Sequence, residues 1–254
     1  MKLFWLALRS EFLKSRRTLA LATTAWLPAF IAGLIFALFY FKSEDFAKMG
    51  MDPWNIMASN VFGLYAVLIL PMYAMVVAFS TNQVEHVANA WKNLFTLPYP
   101  RLAIYLSKWA FAFLLILAFS LILCGLIFMA GNALAILKPE IGFQDFDSFG
   151  LIARFFLKFF LGVMGVFSIQ FLLSFYWRDF IRPVGAGLAL TIAGAIGAGW
   201  DYAYLFPYAA TVRINVQYQK EQLDLFPQEV VVSLLATLAL FLIGYYFVLR
   251  RISR

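Results

Sequence analysis

The sequence predicts an all-α membrane protein: six transmembrane helices, an N-terminal interfacial helix and a cytoplasmic helix between spans two and three. Three observations predict it. Hydrophobic residues make up 64% of the 254 and charged residues 13%, against roughly 45–50% and about 25% in soluble domains. Six stretches come close to the ~20 apolar residues that a bilayer core of about 30 Å asks of a helix. No stretch alternates as a membrane-barrel strand does, and a helix satisfies its own backbone groups where water is absent. With Cys124 and His86 the sole members of their types, a disulfide-stapled fold is excluded and no Cys/His metal set can be assembled.

Residues 1–18 come first. Met1, Phe4, Trp5, Leu8 and Phe12 share one helical face, with Lys2, Arg9, Arg16 and Arg17 off it. Leu6 and Leu13 interrupt the pattern. A basic helix with aromatic residues opposite lies in the plane of the interface; a plain topogenic signal ahead of span one is the alternative. The spans are expected at 19–41, 59–80, 109–131, 151–176, 183–200 and 230–249. Five carry no Asp, Glu, Lys or Arg. The fourth holds Arg154 and Lys158 near its start, and the fifth is the shortest and richest in glycine. The first span is long and lacks a small-residue cleavage pattern before Lys42, so it is read as uncleaved. Without an internal repeat or low-complexity linker, residues 1–254 are expected to form one membrane domain.

Orientation follows from the basic residues of the loops. Thirteen of the 20 Lys and Arg fall in the N-terminal segment, the second and fourth loops and the C-terminal tail, and five in the alternate loops. Ten of the 13 acids fall on that other side. Both termini are therefore expected in the cytoplasm. This placement also explains the net charge of +7 without nucleic acid.

Between spans two and three, Val84, Val87, Ala88, Trp91, Leu94 and Phe95 form an apolar stripe. Glu85, His86, Asn89, Lys92 and Asn93 take the other face. Asn82 followed by Glu85 predicts an N-cap, and Pro98 and Pro100 end the helix. Arg101 and Lys108 are expected to hold the start of span three at the cytoplasmic surface. Such a helix lies on the membrane or docks a soluble partner; spacing alone does not separate the two.

In span five, Gly185, Ala189, Ala193 and Gly197 recur every four residues, with Gly187, Ala195 and Gly199 nearby. Small residues let helices approach closely in lipid, within one protomer or between two. Arg154 and Lys158 are expected to snorkel to the outer interface, beside Asp145 or Asp147; an anionic headgroup or carboxylate site is the alternative. Asn60, Ser168, Gln170 and Ser174 are expected to hydrogen-bond between helices. Asp179 is expected to pair with Arg178 or Arg182. A membrane enzyme would need clustered acids, a Ser/His pair or several His residues, and the cytoplasmic side has none of these. An ATP-independent channel or carrier would be supported by paired intramembrane charges, which are absent. The sequence contains no G-x-x-x-x-G-K-S/T and cannot cradle ATP phosphates by a P-loop.

Glu11, Phe12, Leu13 and Lys14, then Arg16 and Arg17, resemble the entry of an ABC-2 type transporter permease. Glu85, then Asn89, Ala90, Trp91 and Lys92, Leu97 and Pro98, and Tyr105, Leu106, Ser107 and Lys108 resemble the cytoplasmic loop of that family. The nearest likeness is to lantibiotic- and bacitracin-resistance permeases, and it extends through all six spans. The resemblance implies the permease subunit of an exporter in the bacterial cytoplasmic membrane, moving a hydrophobic or amphipathic substrate such as an antimicrobial peptide. It implies a separate ATP-binding subunit carrying ATP and Mg, and a dimer with an identical or related permease among membrane lipids. This chain would be neither an enzyme nor the holder of a cofactor. The helix at 82–95 becomes the coupling helix, with Glu85, His86, Asn89, Trp91 and Lys92 at the ATPase contact, and the segment before span one the connecting helix. The small face of span five becomes part of the dimer contact. The family also has short, partly re-entrant helices between spans five and six, where residues 202–214 are apolar and broken by Pro207; an aromatic interface belt is the alternative.

Overall fold

The computed structural model describes residues 2–87, 100–147, 149–220 and 224–250, and every regular element among them is helical. α1 (Lys2–Lys14) passes through a 3-10 turn into α2 (Leu19–Phe41), with Thr18 extended between them at φ −91°, ψ 151°. The bounds of α2 are those expected of span one. A short α3 (Ser43–Met49) stops at Gly50, whose φ of 60° is left-handed and favours glycine.

Span two begins earlier than the apolar run suggests. Asp52 Oδ1 accepts from the Trp54 N–H at 2.9 Å, and Pro53 occupies the first turn, where its missing N–H costs nothing. α4 (Pro53–Leu64) runs through a π turn, Tyr65–Ile69, into α5 (Leu70–Val87) as one 35-residue helix. Asn82 is therefore inside a helix and not the cap expected of it. Its side-chain amide donates to the Ala78 carbonyl one turn back and to the Phe171 carbonyl instead of capping a helix start. The segment 88–99, which carries the rest of the expected coupling helix, lies outside the described residues.

α6 (Arg101–Leu137) has 37 residues, a rod of about 55 Å. α7 (Phe149–Tyr176), α8 (Ile181–Gly197), α9 (Pro207–Gln219) and α10 (Gln228–Arg250) complete the fold. Five helices among the described residues are long and apolar enough to cross a membrane, against six expected. The exception is the expected span five. α8 has 17 residues, about 26 Å at 1.5 Å per residue, and a turn at 198–202 ends it early.

α7 lies at the centre, packed by α5, α6, α9 and α10, while α2 and α1 pack against α6. Phe62 of α4 meets Phe156, Phe159 and Tyr218, and Tyr73 of α5 stacks on Phe119 at 4.0 Å between ring centres. Trp26, Phe30 and Leu34 of α2, Ile192 and Ile196 of α8, and Leu235, Leu238 and Leu242 of α10 remain exposed. That surface suits lipid, not water.

Candidate coupling site

The end of the bundle where α1, α5 and α6 meet holds a closed ring of four charges. Lys108 Nζ donates to Glu11 Oε2 at 2.8 Å and to Glu85 Oε2, and also to the Thr81 carbonyl at 3.2 Å. Lys14 Nζ donates to the other oxygens of the same carboxylates, Glu11 Oε1 at 3.0 Å and Glu85 Oε1 at 3.1 Å. Each lysine thus bridges both glutamates and each glutamate bridges both lysines. Glu11, Glu85 and Lys108 are 4%, 2% and 1% exposed, and the Lys14 side chain 31%. Burial works against the Lys14 charge, but the two carboxylates outweigh it and hold its pKa above the ordinary 10.5.

The ring revises several expectations. Glu85 faces inward, toward α1 and α6, and not outward toward a partner. Lys108 is not an interfacial anchor; the two carboxylates allow it to be buried. α1 buries Leu8 and Glu11 and leaves Trp5, Leu6 and Leu13 exposed, so its packed face is set by the ring more than by the expected aromatic stripe. Phe12 still meets Phe111 edge-on at 4.8 Å. His86 is buried, and its Nε2 lies 3.1 Å from the Ser174 carbonyl oxygen, tying α5 to α7. Asn89, Trp91 and Lys92 lie outside the described residues. Sequence reading placed Glu11, Lys14 and Lys108 in motifs but missed that they meet. The usable signal was the rarity of acids on that side: Glu11, Glu85 and Asp179 are all there are.

Gly185, Ala189 and Ala193 are exposed, Gly197 is half-buried, and among the described residues nothing beyond the helix's own backbone approaches within 4 Å of a Cβ built at Gly185 or Gly197. The opposite face, through Gly187, Thr191 and Gly194, does the packing within the protomer. Asp179 takes the expected loop pairing, with Arg182 at 3.4 Å.

α9 is too short to span and is deeply buried along Tyr208, Ala209, Ala210, Thr211 and Ile214. Polar ties hold it on several sides. Thr211 Oγ1 donates to the Ala66 carbonyl at 2.7 Å, within the π turn. Gln170 Nε2 donates to the Tyr208 hydroxyl at 2.7 Å, and the Tyr218 hydroxyl donates to Asn55 Oδ1 at 2.6 Å. Arg213 and Gln217 both donate to Glu229 at the start of α10. Lys158 is fully buried and does not snorkel; its ammonium lies 4.5 Å from the Phe155 ring centre and is attracted by Asp224 and Glu229. Asp145 and Asp147 are exposed on the preceding loop. Among the described residues no group of acids, His or Cys could hold a metal ion.

Fold and site together define a polytopic helical membrane protein in which the facing ends of α5 and α6 are bound to α1 by buried charge. The chain belongs to the ABC-2 transporter family: a family model described as ABC-2 family transporter protein matches residues 7–194, from α1 through most of α8. It is accordingly a transmembrane subunit of an ABC transporter, a transport component that works with an ATP-binding subunit. No curated protein matches the chain.

Proposed function

We propose that the chain is the permease of an exporter in the bacterial cytoplasmic membrane, with both termini cytoplasmic and residues 1–254 acting as one membrane domain. It moves a hydrophobic or amphipathic substrate such as an antimicrobial peptide, as the lantibiotic- and bacitracin-resistance permeases it resembles do. The observation that carries the reading is the anchoring of the 88–99 segment at both ends. Glu85 stands just before it and Lys108 soon after it, and both are fixed against α1. A segment held at both ends is one through which a soluble partner can move the spans. Asn89, Trp91 and Lys92 are the proposed ATPase contacts, Trp91 as the aromatic anchor. His86 roots that contact and Glu85 positions it. ATP and Mg would sit on the partner chain. The exposed small face of α8, Gly185, Ala189, Ala193 and Gly197, is the proposed contact with a second permease, identical or related.

The test is co-expression with the cognate ATPase. Wild-type protein should co-purify with it, and Trp91→Ala combined with Lys92→Glu should insert normally but lose the ATPase. Retention of the ATPase and of transport by that double variant would overturn the contact assignment. Direction is read in inverted vesicles, where ATP should drive accumulation of a fluorescent amphipathic cationic peptide. ATP-driven loss of preloaded peptide would contradict export.

A further inference from the structure

We propose that the Glu11–Lys14–Glu85–Lys108 ring is the transmission element of the subunit, joining the ATPase-contacting segment to α1 so that both loop stems and the N-terminal helix move as one body. The inference rests on the proposed ATPase contact at 88–99 and adds how that contact reaches the spans.

The ring unites three elements remote in sequence: α1 through Glu11 and Lys14, α5 through Glu85 and α6 through Lys108. Charges around it alternate in sign and sum to zero, so any single displacement leaves an unmatched buried charge. Stability alone does not account for such an arrangement, because a buried ion pair is commonly no better than a well-packed apolar substitute. What alternating charges supply is an all-or-none geometry: the members keep their places together or the ring opens. Beyond it, α4 and α5 form a continuous helix from Val87 to Pro53, and α6 is continuous from Arg101 to Leu137. At their far ends the Trp54 indole N–H donates to the Phe143 carbonyl at 2.9 Å, beside the end of α6. Two long helices fixed at one end by the ring and joined near the other carry a displacement of the 88–99 stems across the membrane. α1 is joined through Ser15–Arg17 to α2, so the same displacement reaches span one.

The decisive variant removes the α1 half of the ring without unbalancing charge. Glu11→Gln with Lys14→Met leaves the Glu85–Lys108 pair, and therefore both loop stems, intact. In the full permease–ATPase complex, reconstituted in vesicles, three quantities are read: ATPase co-purification, ATP hydrolysis and transport per ATP hydrolysed. Co-purification and hydrolysis should persist, while transport per ATP falls about tenfold, within the usual range of coupling energies between sites. Lys14→Arg, which keeps the charge at the partly exposed corner, should restore coupling when paired with native Glu11. Should the double variant not accumulate in membranes, Lys14→Met alone is read in the same way. Unchanged transport per ATP would reduce the ring to a structural tie and overturn the proposal. Loss of ATPase binding would assign the ring to docking and overturn it equally. Failure of the wild-type chain to bind an ATPase would instead refute the functional reading beneath it.

Discussion

Gly194→Ala tests the seating of the buried α9 helix. A Cβ at Gly194 would lie 2.6 Å from the Tyr208 carbonyl carbon and oxygen and 2.9 Å from the Ala209 nitrogen. These are backbone atoms in the first turn of α9, and they cannot turn aside. α9 cannot retreat freely either, because Thr211 is bonded to Ala66 and Tyr208 to Gln170. Overpacking of this kind costs about 1–3 kcal/mol, and replacing glycine inside a helix returns about 1 kcal/mol. The net expectation is a loss of up to about 2 kcal/mol. Gly162 makes the internal comparison. Its added Cβ would meet the terminal methyl of Ile214 at 2.5 Å, which can rotate at a cost of about 0.5–1.5 kcal/mol, so Gly162→Ala should be nearly neutral. Gly125 has nothing within 4 Å, and Gly125→Ala should gain up to about 1 kcal/mol. Unfolding of the three purified variants in one detergent gives the order directly: Gly125→Ala most stable, Gly162→Ala near wild type, Gly194→Ala least. Equal stability of Gly194→Ala and Gly125→Ala would refute the close approach of α8 and α9.

Lys108→Met should cost about 3–5 kcal/mol by leaving two buried carboxylates to a single partly exposed lysine, whereas Lys14→Met should cost about 1 kcal/mol; equal shifts in unfolding would contradict the ring. Because Lys14 has a raised pKa, its contribution is fully present below 10.5 and is lost only as pH climbs through the raised value, so unfolding measured from pH 6 to 9 should show no loss from this group. Ala189→Leu with Ala193→Leu should convert purified dimer to monomer without destabilising the protomer, since both side chains point away from it; native mass measurement showing undiminished dimer would place the contact elsewhere. In a Cys124→Ser background, Asn89→Cys should be labelled by an impermeant thiol reagent from the cytoplasmic side and Lys220→Cys from outside, and labelling of both from outside would reverse the topology.

Apolar length made the existence of the helices legible, and their true extent was hidden wherever a polar residue is satisfied by a distant partner. α2 was bounded correctly because Thr18 and Lys42 mark real changes of conformation at its ends. α5 was cut short at Ser80 because Asn82 and Glu85 read as a helix start; in the fold they bond to Phe171, 89 residues away, and to Lys14, 71 away. α6 was begun late for the same reason, since Lys108 looks like an interfacial charge until Glu11, 97 residues off, is found beside it. Hydropathy charges a lysine the same cost whether or not its partner is present. Lys158 repeats the lesson at the opposite end of the bundle, where the carboxylates that attract it come from beyond α9. For α9, the apolar run and Pro207 signalled something other than a loop; its depth depends on Thr211 and on the glycine faces of α7 and α8, which no local pattern displays. The small face of α8 was legible as a stripe, but only packing showed which glycines serve the protomer and which are left outward.

The central claim is that a separate ATPase engages this chain through residues 88–99, and a photo-crosslinking amino acid at position 91 tests it most directly. With the ATPase co-expressed in intact membranes, illumination should yield one adduct of the summed mass of the two subunits. That adduct should persist when the same probe is combined with Ala189→Leu, because docking does not require the α8 face. Crosslinks confined to lipid or to the chain itself, in membranes where the ATPase is present and folded, would contradict the account.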